Sequence, residues 1–148
     1  MPFAEKPEVQ AARTGRGIQK WVNDKTPGAD AVVLTDATLY FNIPVGMAVY
    51  ITAMHFDVLS VEDDCHFLLV YTPTVAGVGT PVEISGHTHV YTGAAKDTGI
   101  GAKERPFNPP IRVEYAAAAA VCVTMKVDAN DAAAVISCGW TGWYEPIH

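Results

Sequence analysis

At 148 residues the chain has the length of one domain, large enough to bury most of its unfolded surface without metal or disulfide staples. A hydrophobic content of 49% against 18% charged residues implies either a thick core or apolar surface covered by a partner. The net charge of −6 argues against a nucleic-acid binder, which needs Lys and Arg to neutralise phosphates.

In chain order, residues 1–30 carry Pro2, Pro7, Pro27, Gly15, Gly17 and Gly28, and only 18–22 hint at local order. They read as an extended arm ahead of a domain spanning 31–148. Residues 1–25 hold five basic against three acidic groups, and the rest of the chain five against thirteen. A mildly basic arm thus precedes an acidic body, and deleting 1–25 is expected to leave that body folded. The opening Met1-Pro2-Phe3-Ala4-Glu5-Lys6 lacks the apolar core of an export signal, so the expected site of synthesis and retention is a cytoplasm.

Strands are predicted over 31–42, 47–60, 65–72, 82–91, 111–115, 119–128 and 132–140, with turn formers between them. The uncharged stretch 37–56 is long enough for a membrane span, but Asn42, Pro44 and Gly46 read as a turn between two strands. In Val121-Cys122-Val123-Thr124-Met125-Lys126-Val127-Asp128 the odd positions are apolar, the period-two mark of a half-buried strand. Turn chemistry in Asp128-Ala129-Asn130-Asp131 then predicts a closing hairpin with 132–140. The alanines 116–120 favour helix by propensity, yet they stand between alternating segments and read as a bulged strand. Their small side chains would let a facing sheet or a symmetry mate approach closely, which makes Ala116, Ala118 and Ala120 candidates for a subunit interface. So many short strands at this spacing imply a β-sandwich or barrel.

The search for chemistry returns little. Cys65, Cys122 and Cys138 include no Cys-x-x-Cys pair; Cys122 and Cys138 could face one another across the closing hairpin, but a reducing cytoplasm leaves buried thiols as the expected state. His87 and His89 would share a strand face with Glu83, Ser85 and Tyr91. The cupin pattern needs a Glu three to four residues after such a pair, where this chain has Thr92 and Gly93, so no metal is expected although Glu83 or His66 could be recruited. Gly15-Arg16-Gly17 and Gly99-Ile100-Gly101 neither follow a strand nor open a helix, so they do not read as phosphate loops. Asp57 beside His55, and Glu62-Asp63-Asp64 beside His66, are candidate acid and base pairs, but most such clusters are solvated turns, and Glu62-Asp63-Asp64 has the composition of one. No Gly-x-Ser-x-Gly elbow is present, and no cofactor or catalytic residue is expected.

Aromatic residues carry the functional signal instead. Trp140, Trp143 and Tyr144 cluster late in the chain, and Trp21 lies in the basic arm. Each reads either as core or as an interface anchor. The order of parts resembles the jelly-roll decoration, or cement, proteins of tailed-phage capsids. It comprises a Pro/Gly-rich arm, Ala31-Val32-Val33-Leu34, Ile43-Pro44-Val45-Gly46-Met47-Ala48-Val49-Tyr50, a loop closing in Phe107-Asn108-Pro109-Pro110, and Gly139-Trp140-Thr141-Gly142-Trp143. The ending is also similar to that of tumour-necrosis-factor-like trimers. The phage resemblance implies homotrimers on the capsid exterior, bound to the major capsid protein and tightening the shell, with no nucleic-acid or membrane partner.

The expectation is therefore an all-β, jelly-roll-like antiparallel β-sandwich with an N-terminal arm, adhesive and not catalytic. Arg13, Arg16, Lys20, Trp21, Trp143 and Tyr144 are the expected partner-binding residues. The alternative is a carbohydrate- or receptor-binding sandwich with Trp143, Tyr144, Tyr91 and His89 as a stacking face, and a metal-dependent cupin-like enzyme ranks third.

Overall fold

The apolar runs in the middle of the sequence become interior strands of two facing sheets. The computed structural model describes residues 6–28, 31–60, 65–90, 103–129 and 133–147. In order these form α1 (Pro7–Arg13), β1 (Gly17–Lys25), β2 (Val32–Val33), β3 (Phe41–Asn42), β4 (Met47–Ser60), β5 (Cys65–Thr72), β6 (Val82–Glu83), β7 (Thr88–Val90), β8 (Lys103–Glu114), β9 (Cys122–Asp128) and β10 (Val135–Pro146), with a 3-10 turn over Val75–Gly77. One sheet has the order β1-β10-β4-β8; the other runs β2-β9-β5-β6, with β3 also pairing β9 and β7 pairing β5. All the pairings are antiparallel. The fold is thus an all-β, jelly-roll-like antiparallel sandwich.

The core lies between the sheets. Phe56 of β4 stacks on Phe67 of β5 with ring centroids 5.0 Å apart. Trp140 is fully buried, meets the Phe41 ring edge-on at 6.4 Å, and donates its indole N–H to the Leu39 carbonyl at 2.9 Å. Without that acceptor the buried indole would lose a hydrogen bond to water and gain none.

Ordinary alternation along β10 sets which aromatic faces where. Trp140 enters the core while Trp143, three residues on, lands on the outer face, stacked on Tyr50 at 5.0 Å. The partner strand β4 carries a bulge: its register with β10 slips between Thr141 and Gly142, leaving Thr52 without an opposite residue, so that Val49 and Ile51 before it and Met54 and Phe56 after it all reach the core. Gly142 is required there, because a Cβ would stand 2.0 Å from the Tyr50 carbonyl oxygen.

Three readings of the sequence need correction. Residues 17–25 are no loose arm: β1 pairs with β10 along the sheet edge, Ile18 and Val22 enter the core, and Lys25 pairs with Asp36 at 3.2 Å. The sheet starts at Gly17, ahead of the expected boundary at 31. Second, β9 and β10 do not form a closing hairpin, because they belong to opposite sheets. Third, residues 116–120 form neither strand nor helix but a turn closed by the Ala116 N–H on the Ala120 carbonyl at 2.9 Å. Ala116 and Ala118 are exposed, whereas Ala120 belongs to this chain's own core and is not available to another subunit.

Candidate binding surfaces

Two places bring expected functional residues together. The first is a corner where α1 packs beside the end of β10. The main-chain N–H of Tyr144 donates to the Arg16 carbonyl at 3.1 Å, and Pro7, Gln10, Arg16, Tyr144 and Glu145 line a cleft of about 230 Å³. Lys20 points inward from β1, with its ammonium 5.9 Å from the Phe41 ring centre; Phe41 in turn lies 5.3 Å from the Tyr144 ring. Arg13 is exposed in the last turn of α1. Of the six expected partner-binding residues, the cleft therefore gathers Arg16 and Tyr144, with Arg13 in the last turn of α1 and Lys20 held over the Phe41 ring.

The other two lie elsewhere. Trp143 is 5% exposed, sandwiched by Tyr50 and with its indole N–H 3.3 Å from Glu145 Oε2. Arg112 continues the same ladder, its Nε donating to the Tyr50 hydroxyl at 2.9 Å while it pairs with Glu114. The Tyr50 hydrogen bond, then that of Glu114, raises the guanidinium pKa above its ordinary value. A stacking platform of Trp143 and Tyr144 does not exist, since one is covered and the other packs toward the core.

Trp21 stands on the second surface, the outer face of the four-stranded sheet. Register aligns Trp21 with Gly139, Gly139 with His55, and His55 with Glu104, one residue from each strand. The adjacent row holds Gln19, Thr141, Ala53 and Pro106. Sequence reasoning singled out Trp21, paired His55 only with Asp57, and missed Glu104, Gln19 and Thr141, because only cross-strand register unites them.

The remaining chemical candidates are dispersed. His87 sits 3.3 Å from Glu83 and edge-on to the His66 ring at 5.8 Å, with Lys126 on the other Glu83 oxygen at 3.9 Å. Among the described residues no group of three or more His, Cys, Asp or Glu is arranged to hold a metal. Cys65, Cys122 and Cys138 are buried thiols, and burial pushes the Cys122 and Cys138 pKa values up, away from the thiolate that reacts. No helix among the described residues is long and apolar enough to cross a membrane; the uncharged stretch 37–56 instead supplies β3, a turn and most of β4. Tyr91, the side chain of His89, Glu62-Asp63-Asp64, Gly99-Ile100-Gly101 and the turn at Asn130-Asp131 lie outside the described residues.

No family model matches the sequence, and no curated protein does. Among solved structures the chain is similar to the CBM22-1 xylan-binding domain of Xyn10C from Paenibacillus barcinonensis, at 10% identity over 88% of this chain and 72% of that one, with a TM-score of 0.41. It is also similar to a chain of infectious bursal disease virus, Gx strain, at 9% identity over 86% of this chain and 30% of that one, TM-score 0.41. A third is the CBM22-1–GH10 portion of xylanase 10B from Clostridium thermocellum, at 8% identity over 86% and 26%, TM-score 0.39. This chain thus spans less than a third of the last two.

Proposed function

We propose that this protein is a non-catalytic structural subunit of a virion, a decoration protein that seats on the outer surface of a capsid shell. The observation that carries the reading is the corner built by α1, β1 and the end of β10. It sets Arg16 beside Tyr144, with Arg13 exposed in the last turn of α1 and Lys20 over the Phe41 ring, on a chain whose residues outside 1–25 hold thirteen acidic groups against five basic ones. Such a bipolar distribution orients a small subunit on an acidic surface and repels its acidic flanks from it. The proposed assembly is a homotrimer, with the exposed turn at Ala116 and Ala118 between subunits. Repeated seating then turns modest rim contacts into firm attachment.

Reversing charge at the corner in an R13E/R16E variant tests the reading directly. The variant is expected to fold normally, because both side chains lie outside the core. It should sediment with major-capsid-protein shells far less than the native protein, and native attachment should weaken as salt is raised. Full occupancy by the reversed variant, at low and at high salt alike, would refute it.

A further inference from the structure

We propose that the outer face of the four-stranded sheet binds a neutral saccharide, with Trp21 as the stacking platform. The site is shaped by a contrast in side-chain size. The inner strands β10 and β4 offer Gly139 and Ala53, while the edge strands β1 and β8 offer Trp21, Gln19, Lys103 and Glu104. Small residues flanked by large ones leave a trough of about 400 Å³, within the range of about 300–1,000 Å³ seen for small-molecule sites.

The floor of the trough is specific to glycine. A Cβ at Gly139 would stand 2.6 Å from Trp21 Cε3 and 2.1 Å from the Lys20 carbonyl oxygen, so the indole rests directly on the bare backbone of β10. Its N–H donates to Asn23 Oδ1, two residues along the same strand. That bond and the glycine seat fix the ring before any ligand arrives, which lowers the ordering cost of binding. Trp21 nevertheless remains 36% exposed.

The rim decides the class of ligand. Gln19, His55 and Thr141 can each both donate and accept hydrogen bonds, while Lys103 and Glu104 add one charge of each sign. Thr141 Oγ1 already lies 3.1 Å from Thr52 Oγ1, which orients it and leaves a lone pair over. A pyranose fits this set: its face of C–H bonds packs on the electron-rich indole, and its hydroxyls donate and accept along the edge. An apolar peptide side chain would find no closed pocket here. A phosphate or uronate would meet Glu104 beside Lys103 on a chain of net charge −6.

The site is separate from Arg13 and Arg16, so saccharide binding and capsid seating can fail independently. The test titrates the full chain with cellohexaose, maltohexaose and mannohexaose while following tryptophan emission and protection from N-bromosuccinimide. Trp140 and Trp143 are buried, so a ligand-induced change in emission and protection from oxidation both report Trp21. At least one hexaose should give a saturable blue shift and shield Trp21 from oxidation. Trp21→Ala should weaken that hexaose by about thirtyfold, the scale of an anchoring aromatic, with its melting temperature close to native. Trp21→Phe should restore part of the affinity, and R13E/R16E should bind as the native protein does. No saturable response to any of the three sugars at millimolar concentration would overturn the proposal, as would native affinity in Trp21→Ala, read there by calorimetry.

Discussion

The outer faces of the two sheets are covered to different extents. On the sheet containing β5 and β9, Leu68, Val70, Thr72, Cys122 and Thr124 all point away from the main core and are all buried. The 3-10 turn over Val75–Gly77 packs over part of this face, with Gly77 against the Leu34 carbonyl and Thr124, while β6 extends the sheet beside β5 and the buried Ser85 Oγ accepts the Leu69 N–H at 2.8 Å. On the sheet containing β4 and β10, the outer row of Gln19, Trp21, Thr141 and His55 stays partly or fully exposed. A strand covered on both faces reads as a continuous apolar run, as Phe67-Leu68-Leu69-Val70 does, whereas a strand with one wet face alternates. The covered sheet is committed to stability, and the open one has a face to spend on recognition.

Removing residues 1–25 should have the largest effect of any change considered. The deletion takes away β1, withdraws Ile18 and Val22 from the core and strips β10 of one partner. Truncating one buried Ile alone costs about 2–5 kcal/mol, against a total stability of about 5–15 kcal/mol for a domain. The truncated chain should show no cooperative melt in circular dichroism. A sharp transition near the native temperature would show that the open sheet stands without its edge strand, and the contrast between the sheets would have to be redrawn.

How much of this could be read from the sequence follows from which interactions are local. The bounds of β4 and β5 are legible because alternation and apolar runs act within a strand, and Met47–Ser60 and Cys65–Thr72 stand as expected. The edge strand β1 was concealed because an inward position is occupied by Lys20, whose ammonium lies over the Phe41 ring; Ile18 and Val22 alone show no period of two. Alternation in β9 gives its buried face but not its partner, so the false hairpin with β10 was beyond local reasoning. The trough was hidden for the same reason. Trp21, Gly139, His55 and Glu104 are far apart in sequence, and only the register across four strands makes them neighbours.

A matched pair of substitutions on the covered sheet and the open sheet sharpens the comparison. Leu68→Ala removes a side chain that is 1% exposed, so a cavity opens that the surroundings cannot fill completely. The expected cost is about 2–5 kcal/mol in urea melts, with an unchanged m-value. A loss below about 1 kcal/mol would mean that this face is not sealed.

His55→Ala is the counterpart with the smallest expected effect. His55 also occupies an outer position in the middle of a long strand, opposite Gly139, so strand geometry is held nearly constant between the two changes. Its side chain borders an open trough; water can occupy the vacated space and no dry cavity forms. Stability should therefore shift by no more than about 0.5 kcal/mol, the usual range for surface positions, while any saccharide affinity should fall with the lost imidazole. A destabilisation comparable to that of Leu68→Ala would show that this face is packed too, and that its histidine serves the fold and not a ligand.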